Sequence, residues 1–207
     1  MAGRPPEFDR DEALEKAMQL FWRQGYDGTS MSDLTSTLGV GRQSLYGAFG
    51  DKRALFVACL ERYTQEIFEK SLLSLLEGDG PPLAGIHRVL DAWETYVGSD
   101  QFKGCLLGKA LAELGMHDPK LDALLRTKLD RIRGSLERAL TRAKDAGELD
   151  AATDASALAR SITAFAQGAA VVCQVWRDPA AVRETLAGAR GLVQAHQTTP
   201  KRAARRR

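Results

Sequence analysis

The sequence predicts an all-α protein with a small N-terminal helix-turn-helix head and a larger helical body. Three observations carry that prediction. Apolar residues recur at intervals of three and four. The clearest stripe is Leu121, Leu125, Leu129, Ile132, Leu136, Leu140 and Ala143, one buried face of an amphipathic helix. Alternating β-branched runs bounded by turns, the mark of strands, are absent, and Ala and Leu dominate. The breaks fall where helices begin and end, with Gly closing segments and Asp-Pro opening them.

Each element follows from that punctuation. Ala13, Ala17 and Phe21, with Leu14 and Met18, share one face of a first helix from about Arg10 to Gln24, closed by Gly25. Ser30-Met31-Ser32-Asp33 has capping-box spacing, with Asp33 placed to bond back to the Ser30 backbone. The second helix is short and ends at Gly39, and Gly39-Val40-Gly41 is a tight turn. A third helix covers about Arg42 to Phe49. Gly50-Asp51 then opens a long helix to about Leu76. Glu77-Gly78-Asp79-Gly80-Pro81-Pro82 is the strongest internal break. Further helices are expected over about 83–97, 104–115, 119–146, 155–177 and 180–196. Asp118-Pro119 and Asp178-Pro179 each read as an N-cap followed by proline at the first helical position.

Composition bounds the class. The 207 residues are 44% apolar and 27% charged, with a formal net charge of +2, which suits an ordinary globular chain. No apolar run approaches the ~20 residues of a membrane helix. The first residues show no apolar stretch of a secretory signal. Three scattered cysteines do not make a disulfide framework, so a reducing cytoplasm is expected. The charge is unevenly placed. Residues 1–63 hold 8 Lys and Arg against 9 Asp and Glu, and residues 64–200 hold 16 against 18. The last seven residues hold 5 Lys and Arg and no acid. Net charge alone therefore makes no case for nucleic-acid binding. The expected division is a helix-turn-helix head at 1–50, a helical body at 51–197, and a polar-to-basic disordered tail at 198–207.

Residues 31–49 describe a helix-turn-helix in their own right. Leu34, Leu38, Val40, Leu45 and Phe49 form a small shared core. That leaves Arg42, Gln43, Ser44 and Tyr46 on or near the outer face. Arg matches the guanine edge and Gln the adenine edge in the major groove. Ser and Tyr hydroxyls suit phosphate oxygens. Lys52 sits in the first turn of the long helix, where free backbone N–H groups already favour a phosphate.

The order Gly3-Arg4-Pro5, Ala17-Met18-Gln19-Leu20-Phe21, Gly25-Tyr26, Thr29-Ser30-Met31-Ser32-Asp33-Leu34, Leu38-Gly39-Val40, Ser44-Leu45-Tyr46, Phe49 and Lys52-Arg53-Ala54-Leu55 resembles the TetR family of bacterial transcriptional regulators over about residues 1–63. The remainder resembles that family only in helicity and length. The resemblance implies a three-helix DNA-binding head, a linking fourth helix, and a ligand-binding body that dimerises on double-stranded operator DNA. It implies base contacts from Arg42, Gln43 and Ser44. Phosphate contacts would come from Thr29, Tyr46 and Lys52, with Arg4 extending along the backbone. Gly47 and Ala48 replace residues that are often aromatic or His in the family, and Gly41 replaces a Ser or Thr cap. More of the contact then falls on Arg42 and Gln43.

In the body, Ala155–Trp176 is rich in small residues that permit close helix approach. With Val182, Leu186, Ala189 and Val193 it is expected to form a homodimer seam. Trp93, Tyr96, Leu107, Leu111, Met116 and Phe165 are the candidate lining of an effector cavity, although for any one of them ordinary core packing is the plainer role. Cys105 follows Lys103-Gly104, at the start of a helix, with Lys109 a turn further on. A helix N-terminus and a nearby ammonium stabilise thiolate and so raise reactivity. Lys103-Gly104-Cys105-Leu106 also resembles a segment of electrophile- and oxidant-sensing members of the family. A small buried packing residue is the plainer role for Cys105. Packing is also the expected role of Cys59 and Cys173.

No catalytic pattern is present. His87, His117 and His196 are isolated, no metal-ligand spacing occurs, and no cofactor is expected. The effector, whether small molecule or electrophile, is not named by the sequence. Two other functions stay open at this level: a DNA-architectural protein that takes no effector, and an all-helical enzyme.

Overall fold

The structure is a computed structural model, described here for residues 8–114, 119–176 and 178–198. Arg4, Met116, His117, the Asp118 cap and the basic tail lie outside the described residues.

Helix α1 (Arg10–Gln24) is capped by Asp9, whose carboxylate accepts the Asp11 N–H at 2.8 Å. Helix α2 (Met31–Leu38) starts with the expected capping box. The Asp33 N–H donates to Ser30 Oγ at 3.1 Å, and the Ser30 N–H donates to Asp33 Oδ2 at 2.8 Å. That hydrogen bonding holds the Asp33 carboxyl below its usual range. Helix α3 (Arg42–Phe49) follows within three residues. Helix α4 (Lys52–Tyr63) runs on into a π-helical segment, Thr64–Leu73, and a last turn, α5 (Ser74–Leu76). The body adds α6 (Pro82–Val97), α7 (Leu106–Leu114), α8 (Pro119–Asp145), α9 (Ala155–Val172) and α10 (Pro179–Gln194). Among the described residues the only β pairing is an isolated bridge between Leu149 and Gln197.

Most boundaries match the expectation to within two residues. Two features do not. The long helix is not regular, because it widens to π geometry over Thr64–Leu73. The buried Thr64 hydroxyl bonds back to the Leu60 and Glu61 carbonyls at the start of that stretch, a contact that competes with the regular ladder. Helix α9 also stops at Val172, short of the expected 177.

The core explains the arrangement. Ala17, Phe21, Leu34, Leu45, Phe49, Leu55, Phe56 and Leu60 bury together as α1 to α4 pack. Phe21 and Phe56 meet edge to face at 4.9 Å. Burying each such large side chain contributes about 1.5–3 kcal/mol. The same cluster continues into Leu106, Leu107 and Ala110 of α7 and Leu121 and Leu125 of α8, so head and body share apolar contact. The far half of α8, with Leu136, Ala139, Leu140 and Ala143, joins a second cluster with Ile86, Leu90, Leu158, Ala159, Ile162 and Val193. The Leu121–Ala143 stripe is thus one face serving two cores. Between them Leu129 and Ile132 are only half-buried, and there the body opens a cavity.

Candidate DNA interface and effector cavity

The three-residue gap between α2 and α3 turns the chain through Gly39, whose φ of 68° is left-handed. Leu45 and Phe49 point inward and are buried. Arg42, Gln43, Ser44 and Tyr46 are all exposed on α3. Nothing crowds Gly41 or Gly47, so this face is low and open. Lys52 is half-buried in the first turn of α4, with its ammonium 4.2 Å from the centroid of the Tyr26 ring. Thr29 is a correction. It is fully buried, and its hydroxyl donates to the Gly25 carbonyl at 2.7 Å. It is occupied with holding the α1–α2 turn and presents no phosphate contact.

The body holds an apolar cavity of about 110 Å³. Helices that are distant in sequence line it. The π segment contributes Ile67, Phe68, Leu72 and Leu73, since hydrogen bonds from i to i+5 widen the turn. Trp93 and Tyr96 come from α6, Ile132 and Leu136 from α8, and Thr163 and Gln167 from α9. None of the lining side chains is charged. Gln167 Oε1 is buried with no hydrogen-bond partner.

Of the expected lining, Trp93 and Tyr96 are present. Leu107 and Leu111 instead pack toward the head core. Phe165 turns toward α10, where only the lack of a side chain at Gly188 makes room for its ring. The residues missed by sequence reading, among them Ile67, Phe68, Leu72, Leu73, Ile132, Leu136 and Gln167, carry no local signal. Each occupies an ordinary apolar or neutral helical position.

Cys105 lines the cavity and stands just before α7. Its sulfur accepts the Gly108 N–H at 3.4 Å and the Tyr63 hydroxyl at 3.6 Å. Burial pushes the Tyr63 phenol well above its ordinary value, and the adjacent Cys105 adds to that shift. Cys59 and Cys173 are buried, at 0% and 2% exposure, and burial pushes both thiols up.

Lys109 departs from expectation. Its ammonium does not bond the thiol. It donates to the Trp22 and Arg23 carbonyls at 2.7 and 3.3 Å, capping the end of α1. Burial lowers its pKa, with Glu113 opposing. Three further contacts tie the same strip of body to the head. The Trp22 indole N–H donates to the Gly104 carbonyl at 3.0 Å. Lys103 Nζ donates to Gln19 Oε1 at 2.6 Å. Glu113 Oε2 accepts the N–H groups of Tyr26 and Asp27 at 2.7 and 3.1 Å. Glu113 lies where a side chain on Gly25 would stand, and Gly25 has φ of 79°, so both space and backbone demand glycine there.

An open recognition helix, joined by one continuous helical rod to a helical body around an apolar cavity, defines a class: DNA-binding regulators that carry their sensor in the same chain. Comparison with known proteins narrows it. Residues 13–59 match the family model for bacterial regulatory proteins of the tetR family, and residues 82–189 match the tetracyclin repressor-like C-terminal domain. The chain belongs to the TetR family and is a helix-turn-helix transcriptional regulator. It is 33% identical to the uncharacterized HTH-type regulator YezE of Bacillus subtilis (strain 168), over 85% of this chain and 91% of that one. It is 29% identical to the HTH-type transcriptional repressor ComR of Escherichia coli (strain K12), over 82% and 81%. Among solved structures, a cysteine mutant of the regulator CifR complexed with 26-bp double-strand operator DNA superposes with a TM-score of 0.77. The identity there is 30%, over 93% of this chain and 99% of that one. Among the described residues no helix is long and apolar enough to cross a membrane.

Proposed function

We propose that the protein is a homodimeric repressor that occupies a pseudo-palindromic operator in the cytoplasm. It leaves the operator when the cavity beside Cys105 is filled or the Cys105 thiol is modified. The observation that carries this is the rod from Lys52 to Leu76. Its first turn adjoins the recognition helix, and its π segment forms a wall of the cavity. An occupant of the body therefore presses on the element that aims the head. Arg42, Gln43 and Ser44 read base edges and Tyr46 and Lys52 hold phosphates, a reading supported by the exposure of Arg42, Gln43, Ser44 and Tyr46 on α3 and by the family resemblance. Two such heads on a two-fold axis read two half-sites.

The effector is small, apolar and uncharged. An ion would leave water for a lining with no countercharge, at heavy cost, whereas a dry cavity of about 150 Å³ holds a benzene-sized guest. Cys105 adds a nucleophile to that wall. If the effector prefers the released state 100-fold, the shift is worth about 2.7 kcal/mol. The test is operator binding before and after N-ethylmaleimide. Treatment releases DNA from the wild type and leaves Cys105→Ser bound, since Cys59 and Cys173 are buried. Release from both proteins, or from neither, overturns the thiol reading.

A further inference from the structure

The polar side chains that line the cavity are Tyr63, Tyr96, Cys105, Thr163 and Gln167. Four of them have partners within the chain. The Cys105 sulfur takes the Tyr63 hydroxyl and the Gly108 N–H. The Thr163 hydroxyl donates to the Ala159 carbonyl at 2.8 Å. The Tyr96 hydroxyl oxygen accepts the Lys103 N–H at 3.4 Å. Gln167 differs, because nothing among the described residues donates to its buried Oε1. An acceptor in that position has lost its hydration without replacement, which is rare in a folded chain. The carboxamide stands where it does because α7 has a glycine opposite it. A side chain on Gly108 would begin 2.7 Å from Gln167 Oε1 and 3.6 Å from Cys105 Cβ. Amide and thiol therefore share one stretch of wall. The last torsion of a glutamine is soft, so the oxygen turns into the cavity at little cost. Phe68, Trp93 and Phe102 add aromatic surface to the same cavity, which suits a ring packed edge to face or offset.

We propose that Gln167 is the polar anchor of the effector site and accepts a hydrogen bond from the effector. The ligand class is then a small, uncharged aromatic molecule with one hydroxyl or N–H donor, such as a phenol. The proposal rests on the reading that the cavity takes the effector, and adds one donor to that apolar outline. Site and guest select each other. A wholly apolar guest leaves Oε1 unpaired, and a hydroxylated guest in a wholly apolar cavity leaves its own hydroxyl unpaired.

Phenol and toluene test it, being nearly equal in size and different in the donor. Binding of each is measured by isothermal titration calorimetry on the full-length protein, wild type and Gln167→Leu. Near neutral pH phenol is uncharged, and neither probe reacts with a thiol, so Cys105 chemistry does not enter. Thermal melts by circular dichroism confirm that each protein is folded, and Gln167→Met repeats the comparison should Gln167→Leu fail to fold. The wild type is expected to bind both probes. Gln167→Leu should weaken phenol binding about tenfold, the worth of one hydrogen bond, and change toluene binding about threefold or less. Loss of both probes alike, loss of neither, or a wild type that takes toluene and not phenol overturns the anchor and leaves the cavity reading standing. A wild type that binds neither probe overturns both.

Discussion

At the scale of the residue, the same types do different work according to what surrounds them. Arg42 and Lys109 are both basic residues of short helices. Arg42 stands exposed on α3, whereas Lys109 is drawn onto backbone carbonyls at the end of α1. Thr29 and Tyr46 both carry hydroxyls, yet only Tyr46, 46% exposed, can reach a partner outside the chain. Arg42→Ala should weaken operator binding by about 1–3 kcal/mol and relax the preference at one base position. Binding titrations against single-base operator variants check this, and an unchanged base preference removes Arg42 from the reading set. Arg42 was legible as a basic residue at the first position of a short helix, where the side chain stays exposed. The destination of Lys109 was not, because its partners lie more than eighty positions earlier in the chain.

At the scale of the element, local signals were sufficient wherever the stabilising partner is also local. The Ser30–Asp33 box and the Asp178-Pro179 start are written in four residues or fewer and appear as expected. Ser30→Ala should destabilise the protein by about 1 kcal/mol, since it strips an N-cap from a helix of only eight residues. Chemical denaturation measures that loss, and operator affinity should fall with it because α2 supports α3. Helix α6 shows the opposite case. Its first turn is held by Glu148, which accepts the Leu83 N–H at 2.9 Å, a cap supplied from 65 residues away. The π stretch is likewise beyond local reading. Thr64–Leu73 has an ordinary helical composition, and its widened turn suits the packing of Ile67, Phe68, Leu72 and Leu73 around the cavity.

At the scale of the whole molecule, the surface left after packing points to assembly. The expected dimer seam needs correction in its membership. Val182, Leu186, Ala189 and Val193 are buried within their own chain. The outer face of α9 instead shows Ala157, Ser161, Ala164, Gly168 and Val171, continued by Val175 in the following turn. These recur at 4, 3, 4, 3 and 4, the spacing of a seam between two packed helices. Val171, Val175 and Trp176 are 60%, 79% and 53% exposed, an apolar cost that a second copy of the chain would remove. Gly168→Glu should therefore yield a folded monomer by light scattering and weaken binding to the full operator far more than to a half-site. A dimer of unchanged strength would move the interface elsewhere.

By itself the sequence determined the fold class, the helix-turn-helix head and the family. Those depend on periodicity, capping and motif order, all of which act within about ten residues along the chain. Only the tertiary structure decided which residues enclose the cavity, that Cys105 meets Tyr63, and that α7 grips the end of α1. Those depend on which helices meet, and many apolar or neutral residues at the same spacing are interchangeable until packing selects among them. The physical reason is range: a hydrogen bond between neighbours leaves a pattern in the order of residues, whereas a contact across 87 positions, as between Glu113 and Tyr26, leaves none until the chain has folded.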